Sequence, residues 1–469
     1  MSRIASTVLM AGALTLAGAC ATYYHTQADF NREFERGDLN RALEALQNRD
    51  RREQGRNKFL YLVNNGLVLS VMGRYRESNE YFEKAYLFGE DYHKDYINEV
   101  ASYWTNPLVT VYRGEDHEHL MVLYYKALNF LKMGKYDQAL VECRRLNLRL
   151  QELSDKYNSP EKYRRDAFVH TLMGIIYQAM NDYNNAFIAY RNALEIYEDD
   201  YARLFSLHAP QQLQYDLLNT AWWTGLHEEF EYYRERFGLE DYIPQQPEAE
   251  LVFFWHNGLS PVKEEWSINF AIHTEQDNQV LFVNETMGLN FAFPLDNDDD
   301  RSRLSGLDIY RVAFPRYRER PVFYRGAQLV SGGEQYPLEM AEDLNGIAIH
   351  SLRERMVLEF SKGLLRAALK KATEMSVRKE DATLGALIGV VNAITEHADT
   401  RNWQTLPHTI SYARIPLREG ENTVDFVLHE PGGGEYTHHF TYQAERHQTL
   451  FHTFSSLESM DSPYKPAWE

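Results

Sequence analysis

Two periodicities divide the chain. Between residues 34 and 238 the apolar positions recur at helical spacing. In "FVHTLMGIIYQAMNDYNNAFIAYRNALEIY" (168–197), Gly174 and Tyr177 share one helix and Asn181–Asp182 makes a turn. Tyr183, Ala186, Tyr190 and Ala193 then mark a second helix at i, i+3, i+7 and i+10. The small residues let paired helices approach, and the large ones fill the gaps. The same order recurs at 59–88 (Gly66, Leu69, Gly73, Tyr75, Ser78, Phe82, Ala85) and at 120–150 (Ala127, Phe130, Gly134, Tyr136, Ala139, Cys143). Cys143 stands where the other copies carry an aromatic ring, which predicts a buried helix residue. Weaker copies at 34–46 and 217–238 flank these three, with insertions at 89–119 and 151–165.

After residue 250 the period falls to two. Strands are predicted at "ELVFFWHNG" (250–258), "EWSINFAIH", "QVLFVNE", "LNFAFPL" and "DIYRVAFPRY" (308–317). Helical spacing returns over 338–375, where Leu344, Ala348, Leu352, Met356, Phe360 and Leu364 recur, and again over 382–396. Strands resume at "TISYARIPL", "NTVDFVLHE", "EYTHHFTYQ" and "TLFHTFS", with "PGGG" (431–434) turning a hairpin. The expected fold is α+β and multidomain. A helical repeat solenoid at 20–238 leads through a linker at 239–249 to a β-sandwich-like domain at 250–460. That domain carries an inserted helical pair at about 338–397, and a short tail occupies 461–469.

The repeat is the tetratricopeptide (TPR) pattern. Such arrays bury a continuous core and leave a concave face for ligands. Tyr124 and Tyr177 are the residues expected to line a protein-binding face.

The N-terminus, "MSRIASTVLMAGALTLAGACAT", has one basic residue, a short apolar stretch and small residues before Cys20. It resembles a bacterial lipobox. The resemblance implies a signal peptide at 1–19, cleavage before Cys20, lipidation of its thiol, and a soluble chain tethered to a membrane. Ala21 rather than aspartate after the cysteine favours the outer membrane, with the protein expected to face the periplasm.

Composition narrows the function. The 469 residues are 44% hydrophobic and 25% charged, ordinary for globular domains. A net charge of −19 repels phosphate backbones, so nucleic acid is not an expected partner. The second of the two cysteines, Cys143, is not expected to pair with Cys20, which has another use.

Candidate chemistry is sparse. There is no G-x-S-x-G, H-E-x-x-H, C-x-x-C or P-loop. His117 and His119 in "HEHL" would point to different helix faces. Asp296, Asp298 and Asp300 begin like an EF-hand loop, but Arg301 and Leu307 replace its glycine and glutamate. His429, His438, His439, His447 and His452 read as edge histidines. "GALIG" (385–389) reads as a close-packing helix face, and His256, Lys263 and Glu264 read as surface ion pairing after a strand. "HADTRNWQTLP" (397–407) is dense in polar groups, yet no nucleophile accompanies His397 and Asp399. It reads as a helix-to-strand joint, with Asp399 and Arg401 pairing or capping and Trp403 sealing the helical insertion against the sandwich. No cofactor and no metal site are expected.

Taken together, "YRGEDHEHLMVLYYKALNFLKMGKYDQALVECRR" (112–145), 166–193, "LVFFWHNGLSPVKEEW" (251–266), "IYRVAFPRY" (309–317) and "ADTRNWQTLP" (398–407) resemble a family of bacterial TPR envelope lipoproteins. The resemblance implies no settled biochemical activity. The expected function is a periplasmic scaffold that binds envelope proteins or peptides through the TPR groove, without turnover. Two other readings stay open: a regulator of a peptidoglycan synthase or hydrolase, and an enzyme using the C-terminal domain.

Overall fold

The computed structural model describes residues 23–48, 55–93, 110–155, 163–274, 279–295, 298–304, 309–356, 364, 368–369 and 398–458. Cys20, His397 and the 382–396 segment lie outside the described residues.

The helical half consists of antiparallel pairs: α1 (Ala28–Glu35) with α2 (Leu39–Gln47), α3 (Lys58–Val71) with α4 (Tyr75–His93), and α5 (Asp116–Lys132) with α6 (Tyr136–Asp155). Then come α7 (Ala167–Ala179) with α8 (Tyr183–Ile196), and α9 (Gln211–Thr224) with α10 (His227–Arg236). Aspartates start several of these helices. Asp38, Asp166 and Asp182 accept from the backbone N–H three residues on, at 3.1, 2.7 and 3.2 Å. A Cβ on Gly66 would lie 2.7 Å from the Phe82 ring, and one on Gly174 would meet Tyr190. Each large residue follows its small partner by the same interval: Phe82 after Gly66, Cys143 after Ala127, Tyr190 after Gly174. Where the small residue is alanine, the ring shrinks to a thiol. Cys143 is accordingly 1% exposed, and burial pushes its pKa up.

The second half holds three four-stranded sheets. The first has the order β12-β1-β9-β8, from β1 (Ala249–Asn257), β8 (Glu339–Asp343), β9 (Thr409–Leu417) and β12 (Thr449–Ser456). The second has the order β11-β10-β6-β7, from β6 (Gly326–Ser331), β7 (Glu334–Pro337), β10 (Gly420–His429) and β11 (Glu435–Ala444). The third, β4-β3-β2-β5, is a meander of β2 (Val262–Thr274), β3 (Gln279–Asn284), β4 (Leu289–Pro294) and β5 (Ile309–Arg318).

β1 explains how the layers stack. Val252 and Phe254 join the core of the helical array, while Leu251, Phe253 and Trp255 join a second core with Leu329 of β6 and Phe426 of β10. The first sheet therefore lies between helices and the second sheet. The third sheet has its own core around Phe270 and Phe282. Leu364 and Ala368, from the stretch read as an insertion, pack into it.

One expectation changes. Strands β6, β7 and β8 occupy 326–343, so the helix expected from 338 begins at 344. Leu338, at the expected start of that helix, belongs to the second core instead. The strands form three sheets, the first two sharing a core and the third with a core of its own.

Candidate functional site

The chain's own residues 401–407 run against helices α1 and α3–α5 of the array. Residues 401–407 are all buried although they form neither helix nor strand. Trp403 is 0% exposed, with its ring 6.0 Å from both Phe82 and Tyr125. Its backbone N–H donates to Glu118 at 2.6 Å, and its indole N–H donates to Thr405 at 3.0 Å. Thr405 donates to Asn64 of α3 at 2.7 Å, and Asn31 of α1 donates to Gln404 at 3.2 Å. From the other side, Ser260 N–H donates to Leu406 O at 2.7 Å and Ser260 Oγ to Trp403 O at 3.1 Å. An irregular strand can be buried only if its polar backbone finds such partners.

Asp399 and Arg401 do pair. Arg401 Nε and Nη2 donate to the Asp399 carboxylate at 2.8 and 2.6 Å, and Arg401 Nη1 reaches Asn57 at 3.2 Å and Thr110 O at 3.0 Å. Trp403 lies between helices α3–α5 and the β1–β2 loop.

Charge clusters flank this segment. Glu115, at the start of α5, holds Lys263 of β2 and Arg355. Burial opposes the Glu115 charge, but Arg355 and Lys263 hold its carboxyl below the usual range. Its neighbour Glu118 accepts from Glu115 N–H at 3.0 Å, closing a capping box, and from Tyr112 OH at 2.8 Å. Burial, reinforced by Glu115, pushes Glu118 up to about 7. His117 is buried beside Tyr317, and burial lowers it to about 4. At the far end of the seam Arg414 of β9 binds Asp216 of α9 at 2.9 Å, Glu250 of β1, and the Tyr190 hydroxyl at 3.1 Å. Burial opposes the Arg414 charge, yet Asp216 and Glu250 raise its pKa. A third buried pair joins Arg320 to Glu35 at 3.0 Å.

The residues expected to face a partner are placed differently from one another. Tyr124 is 2% exposed and lies against the chain's own β1, its hydroxyl 2.8 Å from His256 Nε2. Burial lowers His256 to about 3, so its ring stays neutral. Tyr177 is half-buried, and its hydroxyl accepts from Arg144 at 2.9 Å. Of the expected surface trio His256, Lys263 and Glu264, the first two are buried at 3% and 1%, and only Glu264 pairs at the surface, with Arg316 at 2.8 Å. The signal for His256 lay in β1: an unbroken apolar run needs cover on both faces, and the helices supply one of them.

Among the described residues no group of three or more His, Cys, Asp or Glu is placed to hold a metal ion. His119 instead contacts Arg113 O at 2.9 Å and packs on Phe59, while His438 and His452 lie among Phe440, Phe454 and Phe253. Asp298 and Asp300 fall in a short helix, Asp298–Leu304. Among the described residues no helix is long and apolar enough to cross a membrane.

No protein-family model matches the sequence, and neither does any curated protein. Similar solved structures include MamA from Desulfovibrio magneticus RS-1, at 17% identity over 45% of this chain and 91% of that one, TM-score 0.29. Another is the apo form of RapI, at 17% identity over 48% and 56%, TM-score 0.32. A tetratricopeptide repeat protein from Parabacteroides merdae ATCC 43184 matches at 15% identity over 46% and 67%, TM-score 0.29. Scores at this level carry no conclusion about this chain. The repeat character of the array rests on its own helix pairs and turns.

Proposed function

We propose that the chain is a non-catalytic scaffold of the bacterial cell envelope. It is tethered to the outer membrane through a lipid on Cys20, faces the periplasm, and offers its outer surfaces to protein partners. The observation that carries this reading is the covering of helices α1 and α3–α5 by the chain's own Arg401–Leu406. With those helices covered in cis, the array serves as a rigid mount for the sheets, and partners dock elsewhere. The shared core of the first two sheets supports a sandwich-like mount.

The outer helices support the same reading. Val141 (43% exposed) and Ile188 (39%) each stand two residues before the same buried position of their repeat, at Cys143 and Tyr190. Leu87 (52%) and Leu148 (61%) each stand five residues after it, at Phe82 and Cys143. Apolar residues repeated on the solvent side serve contact better than solubility.

The test is crosslinking of the tagged full chain in cells, followed by mass spectrometry, with Leu148→Asp/Ile188→Asp beside the native sequence. A discrete envelope protein captured by the native chain and lost in the double variant is expected. Identical capture by both would overturn the outer-face reading. Cys20→Ala should move the protein out of the membrane fraction, and retention there would overturn the anchor.

A further inference from the structure

Turns between paired helices are closed by glycines at positive φ: Gly37 and Gly73 at 77°, Gly134 at 67° and Gly225 at 82°. At the α7–α8 turn Asn181 holds the same conformation at 60°. Its backbone N–H reaches the carbonyl three residues back, Gln178 O at 2.9 Å, as Gly73 N–H reaches Ser70 O at 3.0 Å. Asparagine is among the residues that tolerate this region best, but glycine is easier still. The turn itself gives no reason for a side chain.

That side chain lines a cleft of ≈ 40 Å³ where the turn meets Trp223 of α9, Gln246 of the linker, His447 and Gln448 between β11 and β12, and Thr449 at the start of β12. His447 also has positive φ, 62°. Two such residues on one cleft point to a built feature.

The donor inventory identifies what it takes. Gln178 Oε1 accepts from Tyr190 OH at 2.9 Å, and Tyr190 OH must donate there because it accepts from Arg414. Asn181 Oδ1 accepts from Tyr183 OH at 3.0 Å, and Gln448 Oε1 from Glu445 N–H at 2.9 Å. All three amide oxygens are used. The three NH2 groups donate to nothing among the described residues, and none is sealed from solvent. Beside them Tyr183 and Trp223 form an aromatic rim, ring centroids 5.0 Å apart. The Glu250 carboxylate at the cleft is already bound by Arg414 and, at 2.8 Å, by Thr449.

We propose that this cleft binds a neutral saccharide bearing an acetamido group. Its carbonyl and hydroxyl oxygens accept from the three amides, and the apolar face of the sugar ring lies on Trp223 and Tyr183. An anion is disfavoured by Glu250, by the absence of lysine or arginine from the lining, and by the net charge of −19.

The test uses the full chain, titrated with triacetylchitotriose by calorimetry and saturation-transfer NMR. Maltotriose and a capped alanine tripeptide serve as comparators. Asn181→Gly restores the residue of the other turns, so it keeps the backbone and removes one donor. Trp223→Ala removes the rim. Saturable binding of triacetylchitotriose, weaker for maltotriose and reduced about tenfold or more in each variant, is expected. No saturable transfer, equal binding by Asn181→Gly and the native chain, or tighter binding of the capped peptide would overturn the proposal.

Discussion

Strands β1 and β4 are built from similar apolar residues but live in different surroundings. All nine residues of β1 are buried, whereas β4 alternates between half-buried and exposed along its length. β1 has helices on one face and a second sheet on the other. β4 belongs to a meander with one core face. The difference teaches that stability is concentrated where the two halves meet, and that the meander is the loosely held part.

The sharpest test of that comparison is Arg414→Ala. It leaves Asp216, which is 0% exposed, without its cation, and a cost of about 3–5 kcal/mol in chemical denaturation is expected. A cost below about 1 kcal/mol would show that the seam does not depend on its charges. Close behind, Phe254→Ala in β1 and Trp403→Ala should each lose about 3–5 kcal/mol. Phe293→Ala in β4 should lose about 2 kcal/mol or less, because its ring is only half-buried. Equal losses at Phe254 and Phe293 would erase the contrast.

Proton linkage gives a middle-sized effect. The folded chain keeps a proton on Glu118 up to about pH 7, whereas the unfolded chain releases it near the ordinary value of 4.5. The folded state therefore binds more protons between those values, and this group's contribution is full below 4.5 and lost as pH rises to 7. The gap in stability between native and Glu118→Gln should shrink by on the order of 3 kcal/mol from pH 4.5 to 8. A gap independent of pH would rule out a raised Glu118. Gly66→Ala forces a methyl against Phe82 and should cost about 1–3 kcal/mol.

The helical half was legible because glycine and ring recur at fixed intervals. Strand β9 fell on "TISYARIPL" itself, and the "PGGG" turn joins β10 to β11 as a hairpin. Strands β6 to β8 escaped because they are four to six residues long, and Leu338, Ala341 and Leu344 mimic a helical stripe. The seam could not be read directly, since nothing local tells that Trp403 lies against Phe82. Its trace in the sequence is indirect. "LVFFW" has no polar alternation, and "RNWQTL" has no periodicity of its own, as suits a segment shaped by what surrounds it.

The pairing of β1 with β12 sets a timetable. These are the first and last strands of the second half, parallel and in register from Glu250 opposite Thr449 to Asn257 opposite Ser456. Helix pairs can form as they leave the ribosome, because their contacts are local. The central sheet must wait until nearly the whole chain has been made. Until then β1 carries an apolar edge that nothing in the nascent chain can close, and a chain stopped before residue 449 never closes it.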